Sequence, residues 1–549
     1  MFCYQCEQAL NGKCCTVQGV CGKDDETATL QDLLIHVTKG ISQYAKLAYE
    51  LGVSDPLVNR FVVSALFTNV TNVNFDPEKL MVLIYKAHEM KNHAKKLYED
   101  TCKSKGIPAI HPRGPADFVP ANGLEGLLVQ GKEVGIPAMI DLLGETPAGI
   151  IQFMLQGLMG AAAYTEHAKE LGVEDNAHYA SFHKELDFIA KEYANMEHLV
   201  THLMDTGKVN FKAMELLDRA NTSTYGHPEP TKVRVNPVKG KAILVSGHDL
   251  KDLEELLKQS EGKDVNIYTH GEMLPAHAYP KLKKYPHFKG NYGGAWQNQI
   301  KEFPNFAGPI LMTTNCIQRP QDSYKRRIFT SGLVAWPGAT HISDRNFASL
   351  IEAAQIVDGF TEDGENQEIM VGFGRNAILE NAGKIMELIA AKKLRHIFLV
   401  GGCDGAKPGR NYYTDFAEKV PKDCIIMTLA CGKFRFNKLD FGDIDGIPRL
   451  LDVGQCNDAY SAIVVAAELA DAYGVSVNEL PLSLVLSWYE QKAVAILLTL
   501  LDLGIKNIRI GPSLPASITP DVLNYLVDKF GLKPITTPDQ DLKDILATN

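Results

Sequence analysis

The sequence predicts a multidomain protein in which an N-terminal all-α domain precedes two α/β domains built on doubly wound parallel sheets. Three observations carry that expectation. The chain has 549 residues, 45% of them hydrophobic and 22% charged, more than one core organises and suited to two to four globular units. From about residue 26 to 222, apolar residues recur at spacings of three and four, as in LQDLLIHVTKGISQYAKLAYELG and GIIQFMLQGLMGAAAYTEHAKELG, the period of an amphipathic helix. Beyond residue 240, short apolar runs alternate with helical stretches, the order that builds parallel sheets. The expected divisions are 1–230, 231–362 and 363–549.

The first element in order is the sulfur-rich opening MFCYQCEQALNGKCCTVQGVC, which holds five of the eleven cysteines. Cys3, Cys6, Cys15 and Cys21 give the spacing C-x2-C-x8-C-x5-C, with Cys14 competing for the third place. Four thiolates from one short loop form a closed shell, equally suited to structural zinc or to an electron-transfer iron–sulfur cluster. Met1, Phe2 and Tyr4 would help shield it from water. The odd cysteine total, and Cys3 and Cys6 standing where a secretory leader would lie, point to a reducing, cytoplasmic setting and to metal ligation rather than disulfides.

The helical third contains an echo. Gly40, Tyr44, Ala48, Glu50-Leu51-Gly52-Val53 and Asp55 recur as Gly160, Tyr164, Ala168, Glu170-Leu171-Gly172-Val173 and Asp175, and Val73-Asn74-Phe75 returns as Val209-Asn210-Phe211. A duplicated helical bundle with an insertion produces both. The polar stretch NTSTYGHPEPTKVRVNPVKG (221–240) then reads as a linker. The strands expected after it are KAILVSG, DVNIYT, GPILMTT and IFTSGLVAW, then RHIFLVGG, CIIMTLA, LLDVG, LSLVLSW and IRIGP. The most apolar segment, AVAILLTLLDLG (493–504), is too short to span a bilayer and carries an Asp, so a buried helix is expected. A formal charge of −10 without a Lys/Arg cluster argues against nucleic-acid or anionic-membrane partners.

In open α/β sheets ligands bind beyond the carboxyl ends of the strands. There the sequence places His248, Glu272, Cys316, Cys403, Cys431, Cys456 and Glu490, each closing an apolar run. Taken singly, such a Cys is usually a small buried hydrophobe, such a His a satisfied partly buried side chain, and such a Glu solvated. Together they offer four soft thiolates, one imidazole and two carboxylates, a mixed shell that suits a metal centre with positions left open for chemistry. Gly401, Gly402 and Gly405 around Cys403 would let the backbone approach a bulky cluster. Lys492, two residues past Glu490, is either a proton donor at that centre or a solvated lysine at a helix start.

The segments MFCYQCEQ, CTVQGVCGK, VSGHDL, YTHGEMLPAH, TTNCIQRP, GGCDGAKPGR, LACGKFRFN, VGQCNDAY and SWYEQKAV together resemble the hybrid-cluster (prismane) protein family, whose assigned activity is hydroxylamine reduction. The resemblance runs from the first residues into the last α/β domain. It implies an N-terminal domain of two three-helix bundles and two α/β domains with a hybrid 4Fe-2O-2S cluster between them. The implied ligands are His248, Glu272, Cys316, Cys403, Cys431, Cys456 and Glu490, with Cys403 a cysteine persulfide and Lys492 beside the cluster's oxygen site. Glu490, Lys492 and Cys403 are the implied catalytic residues. The short N-terminal spacing goes with a 4Fe-4S cluster on Cys3, Cys6, Cys15 and Cys21, whereas Cys14, Cys102 and Cys424 match no family ligand. Carbon monoxide dehydrogenases share the fold and a related centre; the glutamates favour the hybrid-cluster side.

The activity so implied is a cytoplasmic, monomeric reductase that takes hydroxylamine to ammonia and water, fed through the N-terminal cluster by an electron-donor protein. Lys492 or a spare histidine such as His270 would protonate the released oxygen. The alternatives are nitric oxide reduction in nitrosative-stress defence, a protein S-nitrosylase or sensor using the same cluster, and a zinc-stabilised binding protein.

Overall fold

The computed structural model describes residues 1–191 and 195–547. Helices fill the first part: α1 (Asp25–Glu50), α2 (Pro56–Thr68), α3 (Pro77–Lys105), α4 (Gly123–Val134), α5 (Ile136–Leu143), α6 (Glu145–Glu170), α7 (Asn176–Ile189) and α8 (Met196–Tyr225). The echo in the sequence is an echo in space. α1 and α6 are both 26 residues long, and α2 and α7 start behind Asp55 and Asp175, whose carboxylates each accept from the first-turn backbone N–H groups. The insertion is the segment carrying α4 and α5.

The two halves interlock: α1 packs along α3 and α7, and α6 along α8 and α2. The repeated glycines explain themselves by close approach. A Cβ on Gly40 would lie 2.2 Å from the Pro115 carbonyl oxygen, and one on Gly160 would lie 2.6 Å from the Gln491 carbonyl oxygen.

A buried polar tie joins the halves, His183 of α7 standing 3.1 Å from Ser42 Oγ of α1 and 3.0 Å from Asn59 Oδ1 of α2. Burial pushes His183 down to about 3. The folded chain therefore keeps this ring neutral while the unfolded chain protonates it below about 6.5, so its contribution to stability falls as pH drops from about 6.5 towards 3. One pH unit below 6.5 costs about 1.4 kcal/mol. His183→Gln is expected to flatten the loss of melting temperature between pH 7.5 and 5.5; an unchanged pH slope would contradict it.

Two six-stranded sheets follow. β1 (Thr231–Arg234) precedes β2 (Lys241–Ser246), β3 (Val265–His270), β4 (Phe288–Asn291), β5 (Ile310–Met312), β6 (Ile328–Ser331) and β7 (Thr340–Ile342). The chain continues through β8 (Glu368–Val371), β9 (His396–Gly402), β10 (Cys424–Leu429), the short pair β11 (Asp443–Ile444) and β12 (Ile447–Pro448), then β13 (Leu450–Gly454), β14 (Leu482–Ser487), β15 (Arg509–Gly511) and β16 (Lys533–Pro534). The first sheet has the order β4-β3-β2-β5-β6-β7 and the second β13-β10-β9-β14-β15-β16, with every pairing parallel. In each, the order reverses once, between β2 and β5 and between β9 and β14, and such a switch point opens a crevice at the strand ends.

Nine expected strands are present, and the differences lie at edges. β4 and β7 are short strands at or next to polar sequence, so no apolar run announces them. The stretch 221–240, expected as a linker, instead completes α8 and supplies β1, which pairs antiparallel with β8. Val233 and Val235 bury against Ile369 and Val371 there, an alternation that the surrounding prolines and lysines disguise. The apolar segment 493–504 lies largely in the helix Gln491–Asp502, packed against α6 and α8.

Candidate metal centre

The two switch points place the site. His248 and Cys316 follow β2 and β5, which are neighbours in the first sheet; Cys403 and Glu490 follow β9 and β14, neighbours in the second. Glu272 follows β3, Cys431 follows β10 and Cys456 follows β13. All seven line one small cavity, together with Trp296, Asn315, Ala430 and Tyr489.

Within it the side chains are organised by hydrogen bonds that leave their donor atoms inward. The Nε2 of His248 stands 3.7 Å from Glu272 Oε2, and its Nδ1 is 2.9 Å from Thr314 Oγ1. The Cys456 N–H donates to Glu272 Oε2 at 2.8 Å, while Gln455 donates to the backbone carbonyl of Glu272 at 2.7 Å. His248, Glu272 and Cys456 each offer a ligand atom within 4.8 Å of the others.

Lys492 is buried beside them, 3% exposed, donating to Asn315 Oδ1 at 2.8 Å and lying 3.0 Å from His248 Nε2 and 3.6 Å from Glu490. Burial works against its charge, but Cys456, Glu490, Cys316 and Glu272 outweigh that and hold its pKa above the ordinary lysine value. Of the two readings of Lys492, the solvated lysine is excluded.

The donor set fits a metal cluster on three observations. Burial pushes the Cys403 thiol up to about 12 and raises Cys316, Cys431 and Cys456 as well, so four thiolates at one point call for compensating positive charge beyond a single lysine. Burial, then Lys492, keeps His248 well below its usual range, in the neutral form that binds metals. Glu272 Oε1 is buried with no hydrogen-bond partner among the described residues.

Two of the glycines around Cys403 stand where the protein's own atoms come close. Gly402 has φ +105°, and a Cβ there would lie 2.1 Å from the Ser487 carbonyl oxygen; one on Gly405 would lie 2.9 Å from the Arg410 guanidinium. They admit β14 and Arg410 closely.

The N-terminal loop is pinned where Cys3 and Cys15 exchange backbone hydrogen bonds of 3.0 and 2.8 Å. Directly opposed residues of such a pair share a face, and their neighbours point the other way. Phe2, Tyr4 and Cys14 accordingly pack together with Ile140, which leaves Cys15 on the side of Cys3. Cys3, Cys6 and Cys21 surround Lys23, whose buried charge they favour against the burial that opposes it. Cys102 lies in α3 and Cys424 in β10, away from both groups.

The two groups of cysteines meet across aromatic rings. Trp296 and Tyr489 stack with centroids 4.3 Å apart, in an apolar cluster that includes Cys6 of the first group and Cys316, Cys403 and Cys431 of the second. Trp296, Tyr489 and Asn315 were not singled out from the sequence; Tyr489 and Asn315 adjoin chosen residues, but Trp296 begins a single 3-10 turn (Trp296–Asn298) with no local signal. His270, the spare histidine, is engaged elsewhere, 3.1 Å from Ser246 Oγ and 3.0 Å from Glu302, and does not line the cavity.

No helix among the described residues is long and apolar enough to cross a membrane. Comparison with known proteins agrees with this architecture. The chain is 56% identical to a protein named hydroxylamine reductase from Syntrophobacter fumaroxidans and 55% identical to one of the same name from Methanocella arvoryzae, each alignment covering the whole of both chains. Among solved structures, carbon monoxide dehydrogenase IV from Carboxydothermus hydrogenoformans superimposes with a TM-score of 0.56 at 17% identity, over 97% of this chain and 89% of that one, a likeness of fold. The family model described as Prismane/CO dehydrogenase matches residues 1–543, and with full-length relatives above half identity the chain belongs to the Prismane/CO dehydrogenase family.

Proposed function

We propose that this protein is an iron–sulfur oxidoreductase that takes hydroxylamine, with two electrons and two protons, to ammonia and water. The observation that carries the reading is the convergence of His248, Glu272, Cys316, Cys403, Cys431, Cys456 and Glu490 on one cavity beside the buried Lys492; the name of the full-length relatives supports the substrate. Those seven residues would hold a hybrid 4Fe-2O-2S centre lying between domains 231–362 and 363–549, with Cys403 as its persulfide. Cys3, Cys6, Cys15 and Cys21 would hold a 4Fe-4S cluster, and two three-helix bundles within 1–230 would carry the loop. When bound, the hybrid centre supplies iron for the substrate and electrons for N–O cleavage.

The chain's own residues supply the rest. Lys492 holds a proton at Nζ, aimed by Asn315 and Glu490, where a released oxygen is to be protonated. The Trp296–Tyr489 stack fills the space between the two groups of cysteines with polarisable rings and excludes water there. Electrons would come from a donor protein docking near the exposed loop residues Val17 and Val20, in the cytoplasm and onto a monomer.

A second reading, nitric oxide reduction, is favoured by one observation. An apolar cavity of about 280 Å³, lined by Leu399, Leu429, Ala462 and Leu497, reaches Cys403 and Cys456, and such a space suits a small apolar molecule better than hydroxylamine. Steady-state rates at low concentrations of each substrate separate the two. Iron and acid-labile sulfide counts on anaerobically purified protein test the reading as a whole: two distinct EPR signals with hydroxylamine turnover are expected, and a colourless zinc protein would end it.

A further inference from the structure

Glu7 and Arg410 form an ion pair that neither group of cysteines needs for ligation. Glu7 Oε2 and Arg410 Nη2 are 3.1 Å apart, with side chains 0% and 1% exposed. Replacing a buried pair by well-packed apolar residues is often neutral or stabilising, so stability alone gives little reason for one here. Its position gives another. Glu7 directly follows Cys6, and its N–H donates to the Tyr489 carbonyl at 2.8 Å. Arg410 donates to the Cys403 carbonyl at 3.3 Å, to Ser487 Oγ at 2.6 Å and to the Trp488 carbonyl at 2.8 Å. The negative end is thus tied to the N-terminal loop and the positive end to the loop of Cys403.

Resting on the two-cluster reading, we infer that the Glu7–Arg410 pair biases electrons from the N-terminal cluster towards the hybrid centre. A fixed negative charge beside the first disfavours its reduction, and a fixed positive charge beside the second favours it. Both charges act through the protein interior, where Coulomb interactions are strong. One electron leaves the first centre and arrives at the second, with no bond made or broken.

The neighbouring charges do not cancel the bias. Lys407, 30% exposed, stands 3.8 Å from Glu7 Oε1, a partly solvated partner. Asp404 is 4.0 Å from Arg410 but is itself bonded to Arg435 at 2.9 Å. Lys23 sits beside Cys3, Cys6 and Cys21 with the buried Asp32 near it, whereas Lys492 and Lys433 stand beside the other set, Lys433 paired with Asp452, so these charges do not oppose the direction set by the pair. Glu7 and Arg410 are positioning residues, acting on the centres through space.

EPR-monitored redox titration of the holoprotein tests this. In Glu7→Gln the potential of the N-terminal cluster is expected to rise more than that of the hybrid centre, shifting the sharing of an electron between them by roughly tenfold, 59 mV for one electron. Arg410→Gln should narrow the gap from the other side, by lowering the hybrid centre, and Arg410→Lys, which keeps the charge, should restore most of it. A gap that is unchanged or wider in both Gln variants overturns the inference, as does an Arg410→Lys gap as narrow as that of Arg410→Gln. Loss of both centres in both Gln variants would make the pair a structural strut and overturn it too. Failure of the underlying reading looks different: the unsubstituted protein would then show fewer than two potentials.

Discussion

Cys456→Ala is expected to abolish hydroxylamine turnover and to lower the iron content from about eight to about four atoms per chain, the remainder keeping the spectrum of a closed four-thiolate cluster. Cys456 is 5% exposed and sits at the first turn after β13. Its backbone N–H orients Glu272, and that contact survives the substitution, because only the sulfur is removed. The fold should survive as well: trading a buried thiol for a methyl group costs about 1–2 kcal/mol. What is lost is one of four thiolates in a site whose remaining donors are a neutral imidazole and two carboxylates.

Cys102→Ala is the control. It removes an equally buried thiol from α3, so iron and turnover should stay at the level of the parent protein. Iron analysis, EPR and turnover on the two variants check both statements, and a fully loaded, active Cys456→Ala would sink the ligand assignment.

The seven strand-end residues were legible because of how parallel sheets are wound. Most of these strands bury on both faces and therefore read as apolar runs, and the first polar residues after them lie where both sheets open their crevices. The switch points in strand order, β2 beside β5 and β9 beside β14, bring His248 to Cys316 and Cys403 to Glu490. The sequence echo was legible in part because Gly40 and Gly160 each stand where a Cβ has no room.

What escaped has equally physical reasons. Trp296 starts a 3-10 turn too short to show a period, and its role depends on Tyr489, 193 positions further along the chain. Glu7 and Arg410 look like ordinary surface charges until the chain folds, because an ion pair 403 residues apart leaves no local trace. β1 and β8 form a sheet of two strands among the described residues, so their sequences need satisfy one buried face and carry weaker apolar patterns than β2 or β9. The burial of Lys492 was open in the sequence for a related reason: a lysine after a helix start reads alike whether it faces water or a cavity.

That burial makes Lys492→Met the sharper probe of mechanism, with hydroxylamine turnover expected to fall by roughly 10²–10³-fold at unchanged iron content, the range a positioned proton donor commands. Methionine keeps the length and most of the volume, so packing is largely conserved. It removes the charge and the donor that Asn315 Oδ1 holds at 2.8 Å and that stands 3.6 Å from Glu490. The backbone N–H of Lys492 donates at 2.9 Å to Glu490 Oε2, the carboxylate that caps the helix, and is untouched, so Glu490 keeps its place. Charge and aim can then be told apart. Asn315→Ala leaves the ammonium charged but frees Nζ, and a loss of roughly tenfold is expected from misplacement alone. If both substitutions cost the same, orientation is the whole contribution of Lys492. If Lys492→Met turns over normally with both clusters intact, the proton reaches the substrate by another route.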